Sequence, residues 1–246
     1  MIVAMKKALQ VLRLIFRIFT KQNYKEYLGF AQAGEDKVMR LLFYSLNIQN
    51  IRYLEIGTND PVHFNNTYLF YLSGSSGVCI EANPKLVPAI KSARPGDICL
   101  NVGVAEKKSE PLDFYIFDGK DKAKGLSTFS KKEVEHVERV SDIRVSEIIK
   151  IPVITIDEVL AIHFPNPPDL ISIDIEGLDF DIIKCIDLKS YRPKVFCVET
   201  VNFREFDNSM KRNKVTAHFK AYDYFAYAET GINTIFVDSL FYYDNI

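Results

Sequence analysis

Three things are scarce in this 246-residue sequence, and each scarcity removes a class of protein. Cysteine is limited to Cys79, Cys99, Cys185 and Cys197, which fall in apolar runs with no close pair. That spacing offers neither a zinc knuckle nor a disulfide framework, and it fits buried, reduced thiols in a cytoplasmic protein. Net charge is scarce as well: 31 basic residues against 32 acidic ones leave −1, so no global field recruits nucleic acid. An apolar run long enough to span a bilayer is missing, because charge interrupts the most hydrophobic stretches. What is present is a chain of 48% hydrophobic content, enough for one full α/β core. A second independent domain is not expected.

The first 22 residues depart from the rest in composition. They carry Lys6, Lys7, Arg13, Arg17 and Lys21 without a single acid, and Lys6, Gln10, Arg13 and Arg17 recur at helical spacing among Leu9, Leu12, Ile15, Phe16 and Phe19. The pattern predicts a basic amphipathic helix over 1–22, suited to peripheral contact with an anionic membrane on its inner, cytoplasmic face, or to packing on the domain or a second subunit. No small-residue cleavage site follows it, so a signal peptide is not expected.

The chemistry is organised around Arg52 to Pro84. A short apolar strand (Tyr53, Leu54, Ile56) ends on Gly57 and turns through Thr58, Asn59 and Asp60; a second strand (Val78, Cys79, Ile80) closes on Glu81, followed by Ala82. Strand, glycine turn and a second strand ending in an acid about 20 residues on is how an open α/β sheet builds a nucleoside pocket, the acid accepting from two ribose hydroxyls. Here too something is lacking. A dinucleotide fingerprint needs more glycines after the first so that a pyrophosphate can rest on bare backbone, and the residues after Gly57 are Thr58, Asn59, Asp60 and Pro61. S-adenosylmethionine has no phosphate and carries a sulfonium and an ammonium, so a polar turn with Glu55 and Asp60 nearby suits it better than NAD.

Around this pair of strands the order continues. Gln32, Glu35 and Asp36 open a helix just ahead of the pocket, where they are placed to close over a ligand. His63, Asn65 and Asn66 are expected near the methionine end of a donor, with His63 a substrate-side candidate weighed against a merely hydrogen-bonded histidine. Asn83-Pro84 is expected to cap a helix. Ile98 to Val104 reads as a third strand, its polar Asn101 expected to meet the adenine edge. Leu112, Phe114, Ile116 and Phe117 suggest an additional strand. The charge-rich stretch at about 118–150, with helix-like Val134, Val137, Ile148 and Ile149, is expected as a lid-like insertion that brings Ser127, Thr128 and Ser130 to the acceptor side.

A second loaded stretch is Asp169-Leu-Ile-Ser-Ile-Asp-Ile-Glu-Gly-Leu-Asp. Leu170, Ile171 and Ile173 form a strand with Asp174 and Glu176 at its carboxyl end. Carboxylates at a strand tip are costly unless they pair, bind a cation or share a proton, and a carboxyl of raised pKa serves as general base for a hydroxyl acceptor. Val195 to Val198 makes a further strand ending on Glu199, and Asp174 with Glu199 offers oxygen ligands to Mg²⁺, ranked below the base reading for want of a third ligand. Tyr222 to Phe241, around Thr230-Gly-Ile-Asn, reads as a closing hairpin.

Taken in order, Gln32-Ala-Gly-Glu-Asp, Leu54-Glu-Ile-Gly-Thr-Asn-Asp-Pro, Asn65-Asn-Thr-Tyr, Cys79-Ile-Glu-Ala-Asn-Pro, Arg94-Pro-Gly-Asp and Ser172-Ile-Asp-Ile-Glu-Gly-Leu-Asp resemble the FkbM family of S-adenosylmethionine-dependent methyltransferases. Ser127-Thr-Phe-Ser, Val198-Glu-Thr and Gly231-Ile-Asn-Thr-Ile-Phe-Val are similar to it too, so the likeness runs from Phe30 to Val237. The resemblance implies a class I, Rossmann-like fold over 23–246: a seven-stranded, mostly parallel sheet flanked by helices, its last strand inserted antiparallel. It implies O-methylation of a hydroxyl on a sugar, glycan or secondary metabolite. By position it implies Glu55, Gly57 and Asn59 at the methionine part, Glu81 at the ribose, and Asp174 and Glu176 on the reaction side. The alternatives are an NAD- or nucleotide-using enzyme on the same kind of sheet, and a catalytically silent, membrane-tethered binding protein.

Overall fold

The structure is a computed structural model, and it describes residues 28–118, 125–201 and 209–245. The expected amphipathic helix at 1–22 lies outside these residues, as does 119–124 of the insertion.

In chain order the elements are α1 (Glu35–Ser45), β1 (Arg52–Ile56), α2 (Tyr68–Leu72), β2 (Ser76–Ile80), α3 (Val87–Ala93), β3 (Ile98–Leu100), β4 (Gly103–Ala105), β5 (Leu112–Asp118), α4 (Lys131–Val140), β6 (Arg144–Ile151), β7 (Val153–Thr155), α5 (Ile156–His163), β8 (Leu170–Ile173), α6 (Asp179–Ile183), β9 (Val195–Glu199), α7 (Ser209–Lys220), β10 (Tyr224–Glu229), β11 (Asn233–Asp238) and α8 (Ser239–Tyr243). Seven of the strands form one sheet in the order β10-β11-β9-β8-β1-β2-β3. Pairing is parallel from β9 to β3, while β11 enters antiparallel between β9 and β10.

The sheet is covered on both faces, which is why its central strands are buried at nearly every position rather than at alternate ones. Successive side chains divide between two cores. Leu54, Ile56, Ile171, Ile173, Phe196 and Val198 pack with Val159 and Leu160 of α5, Ile182 and Ile183 of α6, and Val215 and Phe219 of α7. Tyr53, Leu170, Val195 and Cys197 face the other way, onto Met39, Leu42 and Phe43 of α1 and Phe70 of α2. Thr155 and Glu158 form a reciprocal capping box that starts α5. The parallel strands therefore all end on one edge of the molecule, and the loops that follow Ile56, Ile80, Ile173 and Glu199 meet there.

Three local expectations change. The stretch 98–104 is two strands, because the Asn101 amide donates to the carbonyls of Glu81 (2.8 Å) and Ala82 (3.0 Å) and bends the chain; β4 then pairs with β7 outside the main sheet. Asn83 accepts from the Lys85 amide (3.0 Å) and so closes a turn ahead of α3, which begins only at Val87. In the insertion, Val134 and Val137 do lie on a helix, α4, capped by Ser130, but Ile148 and Ile149 belong to β6, which pairs antiparallel with β5. That hairpin also starts before residue 118, at Leu112.

Candidate active site

The turn after β1 is shaped by how closely two strand tips approach. Gly57 has φ of +86°, and a side chain there would place its Cβ 1.9 Å from the Asp174 carbonyl oxygen. Only glycine combines that backbone conformation with that contact. The chain then continues through Asn59, also left-handed (φ +49°), whose amide donates to Oε2 of Glu81 at 2.8 Å. Asn83 donates its amide to Oε1 of the same carboxyl at 2.7 Å. Burial pushes the Glu81 carboxyl above its ordinary range, and these two amides work in the opposite direction. Glu81 is thus anchored from behind by two amides, and a carboxylate with four lone-pair directions keeps acceptor capacity for a ligand.

Across the cavity stand the acids that follow β8. Burial, and then the charge of Asp179, pushes the Asp174 carboxyl up to about 7; Lys211 acts against them. Glu176 is raised as well, by burial first and then by Glu199 and Asp174. It sits in the left-handed region at φ +52°, a strained choice for a non-glycine residue, and its carbonyl accepts from the Thr128 hydroxyl at 3.0 Å. A set of acids this close cannot all ionise at neutral pH, so one of them holds or accepts a proton.

The insertion forms the roof. Tyr115 and Thr128 exchange backbone hydrogen bonds (2.9 and 3.1 Å), and the Phe129 ring lies against Phe114 with centroids 4.7 Å apart. Together with the strand ends these residues enclose a cavity of about 220 Å³. Its walls include Gly57, Asn59, Glu81, Ala82 and Asn83 on one side, Asp174 and Glu176 on another, and Phe114, Phe117, Ser127, Thr128 and Phe129 above.

Of the residues singled out in the sequence, Gly57, Asn59, Glu81, Ala82, Ser127, Thr128, Asp174 and Glu176 therefore come together on one cavity. Glu55, Asn101 and His63 do not line it. Glu55 alternates to the opposite face of β1, where Arg94 Nη1 and Asn65 Nδ2 donate to Oε2 (2.9 and 3.1 Å). Asn101 commits its amide to the two backbone carbonyls already named, in place of an adenine edge. His63 is 79% exposed, its ring 3.4 Å from Asp60, and Asp60 Oδ1 accepts from the amides of Val62 and His63. Asn65 and Asn66 likewise turn inward, Asn66 donating to Ser172 Oγ at 3.1 Å. Glu35 and Asp36 are buried braces and not a lid: Glu35 accepts from Thr230 and Asn233 of the closing hairpin, and Asp36 accepts from the Phe30 amide.

Lys211 is the residue that sequence reasoning missed. Its ammonium lies 2.8 Å from Glu199 Oε2 and 3.1 Å from Asp179 Oδ2, and these two charges hold it above its ordinary pKa despite burial. Carboxylate oxygens of Asp174, Asp179 and Glu199 all fall within 4.8 Å of one another, so the third ligand absent from the sequence reading is present as Asp179. The Mg²⁺ expectation nevertheless meets an ammonium in the same place. A divalent ion about 3 Å from that charge would be repelled by roughly 11 kcal/mol at an effective dielectric of about 20. The donor set as it stands fits a lysine, not a metal.

A seven-stranded, mostly parallel sheet with helices on both faces and β11 inserted antiparallel, its ligand cavity at the carboxyl ends of β1, β2 and β8, defines the class I methyltransferase fold. Residues 55–228 match the model of the methyltransferase FkbM domain, and the chain belongs to that family of S-adenosylmethionine-dependent methyltransferases. No curated protein matches the sequence. Among solved structures, the O-methyltransferase TomG of Streptomyces achromogenes, involved in tomaymycin synthesis and in complex with S-adenosylmethionine, is 16% identical over 83% of this chain and 79% of its own, with a TM-score of 0.42. An O-methyltransferase of Bacillus cereus in complex with S-adenosylhomocysteine is 13% identical over 85% and 80%, with a TM-score of 0.39. A putative RNA methyltransferase of Pyrococcus horikoshii is 8% identical over 89% and 99%, with a TM-score of 0.40.

Proposed function

We propose that this methyltransferase transfers a methyl group to a hydroxyl oxygen of an uncharged small molecule, a sugar, glycan or secondary metabolite, with Asp174 as proton acceptor. The observation that carries the reading is the placing of Glu81 and Asp174 on opposite walls of one cavity. Bound there, S-adenosylmethionine supplies an electrophilic methyl on a positively charged sulfur. The residues present fit it: Glu81 on one side and Asp174 and Glu176 on the other answer its cationic groups, and Ala82, Leu86 and Val102 offer apolar surface beside Glu81 for the adenine.

Glu81 would accept from the ribose hydroxyls, while Gly57 and Asn59 would bring bare backbone to the methionine part. On the other side Asp174 would take the proton of the acceptor hydroxyl as its oxygen attacks, and Ser127 under the roof would orient that hydroxyl. A carboxyl titrating near 7 is suited to the task, since it is deprotonated in part at neutral pH and still a usable base. The roof would limit the water that competes for the donor. Among the described residues no helix is long and apolar enough to cross a membrane. The basic segment 1–22 would instead hold the enzyme to the cytoplasmic face of an anionic membrane.

The test is calorimetric titration with S-adenosylhomocysteine, with NAD as control, followed by transfer of labelled methyl to a panel of sugars and polyols. Micromolar binding of the former alone, about −8 kcal/mol, supports the donor site. Binding of NAD alone would favour the nucleotide-enzyme reading. Label appearing only on nitrogen or carbon would overturn the hydroxyl assignment.

A further inference from the structure

Lys211 does not itself line the cavity, yet among the described residues it is one of the few cations held inside the molecule. It projects from α7 into the space behind Asp174, with 15% of its side chain exposed, and bridges Asp179 of α6 and Glu199 of β9. Asp179 has a second duty, accepting the Ile175 amide at 2.9 Å and so fixing the loop that carries Asp174 and Glu176. Asp174 feels the charges of Asp179, Glu199 and Glu176, and more remotely of Glu55 and Glu35, with Lys211 acting against them. Lys211 is the ammonium that, among the described residues, stands against these three carboxylates, Asp174, Asp179 and Glu199, whose oxygens lie within 4.8 Å of one another.

We propose that Lys211 is the resident cation of this active site, a positioning residue that stands where a divalent ion would otherwise bind, pins Asp179 and Glu199, and leaves Asp174 as the carboxyl turned to the acceptor. The role assigned to Asp174 rests on the proposed function; the cation role of Lys211 rests on the three carboxylates alone. It follows that methyl transfer by the native chain runs without added metal, and that deleting the ammonium creates a metal site. A hard divalent ion takes oxygen ligands, and the vacated place offers one carboxylate from each of three elements.

The experiment uses the full chain and Mn²⁺, followed by electron paramagnetic resonance of the free ion. The wild type should bind no Mn²⁺ at this site and should keep its activity in chelator. K211A should gain a Mn²⁺ site, read as at least about a tenfold fall in free ion under conditions where the wild type takes up none, a gain abolished by adding D179N, while K211R should not gain it. In kinetics K211A should lose turnover by about tenfold or more with the donor KM nearly unchanged, and K211R should recover part of it. A residue that merely braced α7 would gain no metal on removal. Wild-type Mn²⁺ binding that D179N abolishes, or a folded K211A that binds none, overturns the proposal. Should K211A not fold, the wild-type arm alone decides. If the wild type methylates no hydroxyl at all, the proposed function falls, while the Mn²⁺ arm still reads the role of Lys211.

Discussion

Arg94 and Glu55, 39 residues apart, meet in a 2.9 Å ion pair sealed from solvent on both sides. The same guanidinium gives Nε to Asp97 at 2.8 Å and Nη2 to Thr67 at 2.7 Å, and Asp97 accepts in turn from the Tyr53 hydroxyl and the Gly77 amide. The cluster ties β1, β2 and the turn after β1 together on the face away from the cavity. Removing one partner of a buried pair strands the other charge, so R94M should cost about 3–5 kcal/mol of stability in urea unfolding. A loss below about 1 kcal/mol would mean that Glu55 and Asp97 find other partners or neutralise at little cost.

Gly57 joins that scaffold to the site. Alanine there must hold φ of +86° and put a methyl 1.9 Å from the Asp174 carbonyl, which forces β1 and β8 apart at the tip that carries Asp174. G57A should be destabilised by more than about 3 kcal/mol and should lose donor binding with it. A variant with wild-type thermal stability would show that the turn re-forms in another conformation.

Glu81 reads the donor assignment directly. E81A should weaken S-adenosylhomocysteine binding by about 1–3 kcal/mol through lost ribose hydrogen bonds. Because the same carboxyl holds the amides of Asn59 and Asn83, E81Q is the sharper variant: its amide oxygen can keep one of the two while the ribose loses an acceptor. Unchanged affinity in both variants would remove Glu81 from the donor site.

These residues divide by how far their signals reach along the chain. The strands at Tyr53 to Ile56, Val78 to Ile80 and Leu170 to Ile173 are apolar apart from Glu55 and Ser172, and each is followed by glycine or acid, so a parallel sheet with its pocket at the strand tips was legible from local pattern. Gly57, Glu81 and Asp174 stand at those tips and were found there. Glu55 was misplaced because strand alternation decides which face a residue takes, and its partner Arg94 sits in a stretch that reads as an ordinary helix end. Asn101 was correctly seen to need a partner, but backbone carbonyls one strand away competed with any ligand. Lys211 carried no signal at all: a lysine on a polar helix is usually solvated, and only the packing of α7 against β9 brings it to Glu199 and Asp179. What local spacing could have offered was Asp179, five residues after Asp174 and pointing back to the Ile175 amide.

Asp174 links stability to activity, with opposite signs. Its carboxyl is raised from 3.8 to about 7, by burial and by Asp179, so the folded state holds its proton more tightly than the unfolded chain does. Stability from this group is therefore fully present below pH 3.8 and is lost as pH rises through about 7. As the proposed base Asp174 must be without its proton, so on that reading turnover should climb over the same upper window. D174N keeps the shape and cannot ionise: it should match the wild type in unfolding only below pH 3.8, exceed it in melting temperature at pH 8, and turn over about 10²–10⁴-fold more slowly. Donor affinity should change little, which separates the variant from E81A. If D174N keeps full turnover while E176Q loses it, the base is Glu176, whose carboxyl lines the same wall. A pH-independent stability difference between D174N and wild type would instead show that Asp174 does not titrate in this window.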